Sequence, residues 1–219
     1  MSEDRHPDPL ELAALLCSKV CHDVISPVGA INNGIEVLED EKSADMREFA
    51  LELIAKSARQ ASAKLQFARI AFGAASSAGT QIDLTDAAQV LRGFVESEGK
   101  IALNFTPAPA LMDKSAVKLL FNLAMIGMNA IPRGGKMRIE TDLTDNRISV
   151  ICEGLNARIA SGVAETAGGD IGAHGVDAHS IQPYYTSLLA RELGLQLGFE
   201  SEGEKISITA VPADASAQG

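Results

Sequence analysis

From about Pro9 to about Asp40 the chain carries one uninterrupted helical pattern, and a helix of that length dictates what it can fold into. Apolar residues at Ala13, Cys17, Val20, Val24, Ile31 and Leu38 fall on one face when placed at about 100° per residue. A helix with a single apolar stripe has to bury it against a neighbour. That neighbour follows at once. After the polar turn at 40–43, with Ser43 or Asp45 as the cap, a second amphipathic run reaches about Phe72 through Phe49, Leu53, Ala61, Leu65 and Ala68. Two long helices on so short a connection form an antiparallel hairpin. A hairpin alone leaves a wide apolar face open, so two copies are expected to pair as a four-helix bundle, a homodimer. The competing arrangement packs the hairpin on the rest of its own chain.

Val20–Leu38 reads V-C-H-D-V-I-S-P-V-G-A-I-N-N-G-I-E-V-L. His22 lies roughly opposite the seam position midway between Val20 and Val24, so its imidazole points away from the apolar stripe. Ser18, Ser26 and Gly29 lie within about 40° of it on the same face. A histidine ringed by small side chains is one that another protein can reach. Pro27 has no N–H, which deprives the Asp23 carbonyl of its helical donor and predicts a bend. The H-D-x-x-x-P run resembles the H-box of the histidine-kinase dimerisation and phosphotransfer domain. More narrowly, H-D-V-I-S-P-V-G-A-I-N-N-G resembles the ChpT-type histidine phosphotransferases of alphaproteobacterial phosphorelays.

Composition narrows the partners. The net charge of −10 argues against nucleic acid, whose phosphates call for a basic face. Hydrophobic residues at 46% suffice for a core, and with 4% aromatics and no Trp that core must be aliphatic. No apolar run of about 18 residues and no leader pattern stand out, so no membrane association and a cytoplasmic location are expected. Three cysteines do not make a disulfide framework. Cys17 and Cys21, next to His22, find no second ligand cluster and read as small buried thiols.

Beyond Gly73–Gly79, whose G-A-A-S-S-A-G composition is that of a linker, the pattern turns mixed. An extended Gln81–Leu84 leads to a helix at Thr85–Ser97, capped by Thr85 or a neighbour. A strand at Ile101–Phe105 and a helix at Asp113–Ala130 follow. Hairpins are expected at Lys136–Leu143 with Arg147–Cys152, and at Gln196–Ser201 with Ile206–Val211, around a helix at Ser180–Leu193. Val163–His179 reads as a loop or a poorly ordered short helix. The fold class is therefore α+β. Residues 1–72 form a hairpin preceded by a polar, disordered start, 73–80 a linker, 81–212 an α/β sandwich and 213–219 a disordered tail.

The second half resembles the ATP-binding domain of histidine kinases, most clearly in M-N-A-I-P-R-G-G-K-M-R-I-E. Asn129 stands where that family holds its magnesium, but the companion asparagine is Met125. The adenine-binding aspartate is replaced by Cys152 in C-E-G-L-N, and the second glycine of that box by Asn156. No later phosphate-cradling box is present. The glycines at 168, 169, 172 and 175, like His174, His179, Asp170 and Asp177, read as solvated loop. The resemblance thus implies a degenerate domain without ATP.

For the whole chain it implies a relay. His22 accepts a phosphoryl group from the receiver aspartate of a hybrid histidine kinase and passes it to receiver aspartates of response regulators that govern the cell cycle. Asp23 orients the ring or takes a proton. The basic residues that the hairpin brings level with His22, namely Lys56, Arg59 and Lys64 with Gln60, read either as a solvated face that suits the helix macrodipole or, with Lys19, as a collar for phosphate and an acidic partner. Ser18, Ser26 and Gly29 complete the partner-binding face. No cofactor is bound, and Mg2+ comes with the receiver. The rival readings are an ATP-dependent histidine kinase fragment and a non-catalytic dimeric adaptor.

Overall fold

The computed structural model describes residues 6–40, 43–73, 81–171 and 175–213. The turn residues 41–42, most of the expected linker, the expected tail beyond 213, and Gly172 and His174 lie outside them.

Helix α1 spans Pro9–Asp40 and α2 spans Ala44–Ala71. They form the expected antiparallel hairpin. Gly34 lets the two axes close up: a Cβ there would lie 2.6 Å from Ile54 and 3.3 Å from the Ala50 carbonyl. Pro27 is buried at this seam, and α1 continues through it as one helix. The start of α1 is more ordered than its polarity suggested. Asp8 Oδ1 accepts from the Leu10 and Glu11 amides at 2.8 and 2.9 Å, an N-cap, and His6 stacks on Tyr184.

After the hairpin come β1 (Gln81–Asp83), α3 (Leu84–Glu98), β2 (Ile101–Asn104), β3 (Leu111–Asp113) and α4 (Lys114–Ala130). They are followed by β4 (Gly135–Asp142), β5 (Arg147–Glu153), α5 (Val163–Ala167), α6 (Ile181–Glu192), β6 (Leu195–Glu202) and β7 (Lys205–Pro212). Asp83 caps α3 and Asp113 caps α4, each accepting from the amide two residues on at 2.7 Å. Strand β3, three residues long, carries no alternation to read; it exists by pairing with β1. The main sheet has the order β2-β4-β5-β7-β6, with β2 parallel to β4 and the other pairs antiparallel. Period-2 patterning sends Met137 and Ile139, Val150 and Cys152, and Ile206 and Ile208 to one face, where they sit in register across the strands. Lys136, Arg138 and Glu140 take the solvent face. On the apolar face lies α4, buried on nearly every side, with α3 and α6 beside it.

The boundary expected at the linker is not a boundary of the core. Phe67, near the end of α2, is 2% exposed and stacks on Phe94 of α3 and Phe121 of α4 at centroid distances of 4.0 and 5.0 Å. Ala71 joins the same cluster. The fully buried Asn122 donates to the Ala71 carbonyl at 3.1 Å, and Gln182 of α6 donates in turn to Asn122 Oδ1 at 3.1 Å. Leu12, Leu15 and Leu16 of α1 pack on Ile181 and Tyr184. The hairpin therefore does dock on its own chain, along one side. Its other side still exposes Ile25, Val28, Ile35, Leu51 and Leu65. Truncating Phe67 to Ala should cost about 3–5 kcal/mol of stability, read by denaturant unfolding, because no neighbour can refill an aromatic cavity between two helices.

Candidate functional site

His22 belongs to the face of α1 that neither α2 nor the sheet layer covers, and its side chain is 87% exposed. Helix phase alone brings this about. Val20 and Val24 turn inward at half-buried positions, which leaves the residue midway between them pointing out. Asp23, on the next residue, faces the cleft between the hairpin and the C-terminal layer. Its Oδ2 accepts from Lys19 Nζ at 2.5 Å, while its Oδ1 lies 3.6 Å from His22 Nδ1. That second distance is longer than a hydrogen bond but within reach of a small rotation. The carboxylate is thus tethered on one oxygen and presents the other to the imidazole. Nε2 has no hydrogen-bond partner among the described residues and is the nitrogen left to solvent. Ser18 and Ser26 are exposed beside it, and a Cβ added to Gly29 would meet nothing within 4 Å. The site is an open, small-residue face.

The expected basic collar divides in two. Lys56 and Arg59 are exposed on α2. Lys64 instead points its ammonium at Glu98 Oε1 at 3.0 Å, and Gln60 Nε2 lies 3.4 Å from the same oxygen. Lys19 is equally committed, to Asp23. Three of the residues assigned to a partner therefore already hold partners within the protomer. Glu98 carries no motif, and the polar end of a helix gives nothing to mark it in the sequence.

The positions that resemble nucleotide motifs in the sequence are engaged in packing. Met125 is buried, and with Asn129 one turn later it faces the hairpin, lining a cavity of about 200 Å³ that Lys19 and Asp23 close from the other side. Cys152, in the place of the adenine-binding acid, is fully buried, and burial pushes its thiol up to about 12. It sits so close to α4 that a Cβ on Gly127 would lie 2.8 Å from its sulfur. Gly154 is required by a backbone approach: a Cβ there would lie 2.4 Å from the Gly134 carbonyl oxygen. Asn156 adopts a left-handed φ of 59°, which suits asparagine in a turn. In the loop before α6, Asp177 accepts from the amides of His179 and Ser180 and from the Ser180 hydroxyl, bonds that hold its carboxyl below the usual range. Its role is to build the turn. Among the described residues no group of three or more His, Cys, Asp or Glu side chains comes together as a metal site.

One expectation needs correcting. Cys17 and Cys21 are exposed, not buried, because they lie on the open side of α1. Helix α1 is also long and apolar enough to cross a membrane by length and composition, although no apolar run stood out by eye. Here it packs against α2 through Gly34 and against α6 through Leu12, Leu15 and Leu16, and it carries the Lys19–Asp23 ion pair.

Comparison with known proteins supports the resemblance. The family model of the histidine phosphotransferase C-terminal domain matches residues 84–205. The protein phosphotransferase ChpT of Brucella abortus (strain 2308) is 49% identical over 203 residues, covering 92% of this chain and 95% of that one. A solved structure described as that of a bacterial phosphotransferase is 46% identical with a TM-score of 0.84, over 94% of this chain and 98% of that one. The chain belongs to the ChpT-type histidine phosphotransferase family.

Proposed function

We propose that this chain is a cytoplasmic phosphorelay intermediate in which Nε2 of His22 carries the phosphoryl group. The observation that supports it most directly is an exposed imidazole whose Nδ1 faces a lysine-tethered carboxylate. The Nε2 lone pair attacks the phosphorus of an aspartyl phosphate on the donor receiver. A P–N bond forms as the acyl-phosphate P–O bond breaks, and the receiver carboxylate leaves. The ring then carries a positive charge and keeps its Nδ1 proton, which Asp23 stabilises as the ring turns toward it. Transfer onward is the reverse: a carboxylate of the acceptor receiver attacks phosphorus and the neutral imidazole leaves. The magnesium ion that neutralises the equatorial oxygens comes with the receiver. By family resemblance the donor is a hybrid histidine kinase and the acceptors are response regulators of the cell cycle.

The surroundings of His22 favour a receiver that touches both parts of the chain. Lys19 shares a second, smaller cleft with Asn129, Ala160 and His179, so C-terminal residues flank the phosphoryl site. Lys56 and Arg59 on α2 remain to meet an acidic partner. No step uses ATP. The positions that would hold adenine and magnesium are a buried thiol at Cys152 and the hairpin-facing pair Met125 and Asn129.

Dimerisation accounts for the uncovered side of the hairpin. Cys21, Val28 and Ile35 recur every seven residues on α1, as do Leu51, Ala58 and Leu65 on α2, and all six are exposed in the protomer. Seven-residue spacing is the seam of a helix bundle. Leu65 and Phe67 are two residues apart, so they point to nearly opposite sides of α2. The bundle and the C-terminal layer therefore do not compete for one surface. This seam lies beside the stripe read from the sequence, whose Val24 and Ile31 are half-buried inside the hairpin.

Three outcomes test this reading. Label should appear on the protein from a phosphorylated receiver and not from labelled ATP, and His22→Ala should abolish it while the circular dichroism spectrum is kept. Label from ATP alone would identify a kinase, and no label from either source an adaptor. Val28→Asp or Leu65→Asp should convert dimer to monomer in light scattering, whereas Val24→Asp should lower the unfolding midpoint. Calorimetry with ATP and magnesium should give no heat at millimolar concentration, the range of about −4 kcal/mol.

A further inference from the structure

Glu98 closes α3 with an acid at the negative end of a helix, where the macrodipole disfavours it and no basic residue in the last turn offsets it. The compensation comes from another element. Its Oε1 takes the Lys64 ammonium at 3.0 Å and the Gln60 amide at 3.4 Å, two donors one turn apart on α2. The Lys64 side chain is only 17% exposed, so this pair is less screened by water than a surface pair. Both partners line the cavity of about 200 Å³ whose opposite wall carries Lys19 and Asp23, the residues that orient His22. The clamp and the phosphoryl-accepting histidine thus share one cleft. Phe67, one turn beyond Lys64 on α2, pins the C-terminal layer to the hairpin by an apolar knob, which fixes separation but resists rotation weakly. Glu98 and Lys64, each one turn from a ring of that stack, add a charged, directional contact beside it.

We propose that Glu98 is a positioning residue for phosphoryl transfer: by holding Lys64 and Gln60 it sets the attitude of the C-terminal layer to the His22 face, so that one receiver meets both surfaces at once. The proposal rests on the relay reading above. It also assigns Lys64 and Gln60 to the internal clamp, leaving the external charge to Lys56 and Arg59.

The test compares full-length wild type, Glu98→Gln, Glu98→Lys and the charge swap Glu98→Lys with Lys64→Glu. The probes are receiver domains of hybrid histidine kinases from the same organism, phosphorylated with acetyl phosphate, and initial transfer rates are followed across receiver concentration. Glu98→Lys should raise the half-saturating receiver concentration by about tenfold, equivalent to ~1.4 kcal/mol. Its maximal rate, dimer mass and unfolding midpoint should stay near those of wild type. Glu98→Gln should show a smaller shift in the same direction, and the charge swap should return the value close to wild type. Unchanged half-saturation in both single variants would overturn the proposal. So would a loss confined to the maximal rate and matched by a fall in the unfolding midpoint that the swap does not repair. A wild type inert toward every phosphorylated receiver would overturn the relay reading and this proposal together, whereas an active wild type with indifferent variants overturns this proposal alone.

Discussion

The stacking of Phe67 between Phe94 and Phe121 makes one body of two parts that the chain spells out separately. Aromatic residues are scarce here, at 4% of the chain, and three of the seven Phe meet at this one junction. Large flat side chains bury much area at one point of contact. Around that stack, Asn122 caps the end of α2 by donating to the Ala71 carbonyl, which would otherwise lie unpaired at a buried helix terminus. The polar network and the aromatic knob together fix where the end of α2 meets the C-terminal layer.

From that docking the chemistry of His22 follows. With α2 and the C-terminal layer occupying two sides of α1, the third side carries the heptad stripe and the remaining strip carries His22 with its small neighbours. Asp23 and Lys19 sit at the border, half shielded by the cleft, where a short ion pair can hold a carboxylate beside the ring. The imidazole is presented by helix phase and oriented by the cleft.

In the C-terminal layer the positions that resemble a nucleotide site are taken up by packing. Cys152 fills the acid's place with a buried thiol, Met125 fills an asparagine's, and Gly154 survives because the Gly134 backbone leaves no room for a side chain. Gly154 is thus required for a purely steric reason.

Much of this was legible in the residues alone. The hairpin, the exposure of His22 and, β3 apart, the succession of helices and longer strands along the chain derive from local periodicity, which a backbone of fixed pitch converts directly into geometry. Family likeness was legible in the H-box because its residues lie close together in sequence. What local pattern does not carry is which of two apolar faces meets which surface. Thus Val24 and Ile31 went to the hairpin seam while Cys21, Val28 and Ile35 stayed open, and the cysteines read as buried emerged at the surface. Nor could it show that Lys64 and Gln60 are held by a carboxylate of their own protomer, since Glu98 lies far along the chain from both. Periodicity along the chain determined most of the elements and the outward orientation of His22. Tertiary packing decided which charges remain free and how the two parts are set against each other, because ion pairs and aromatic contacts between distant segments exist only once those segments meet.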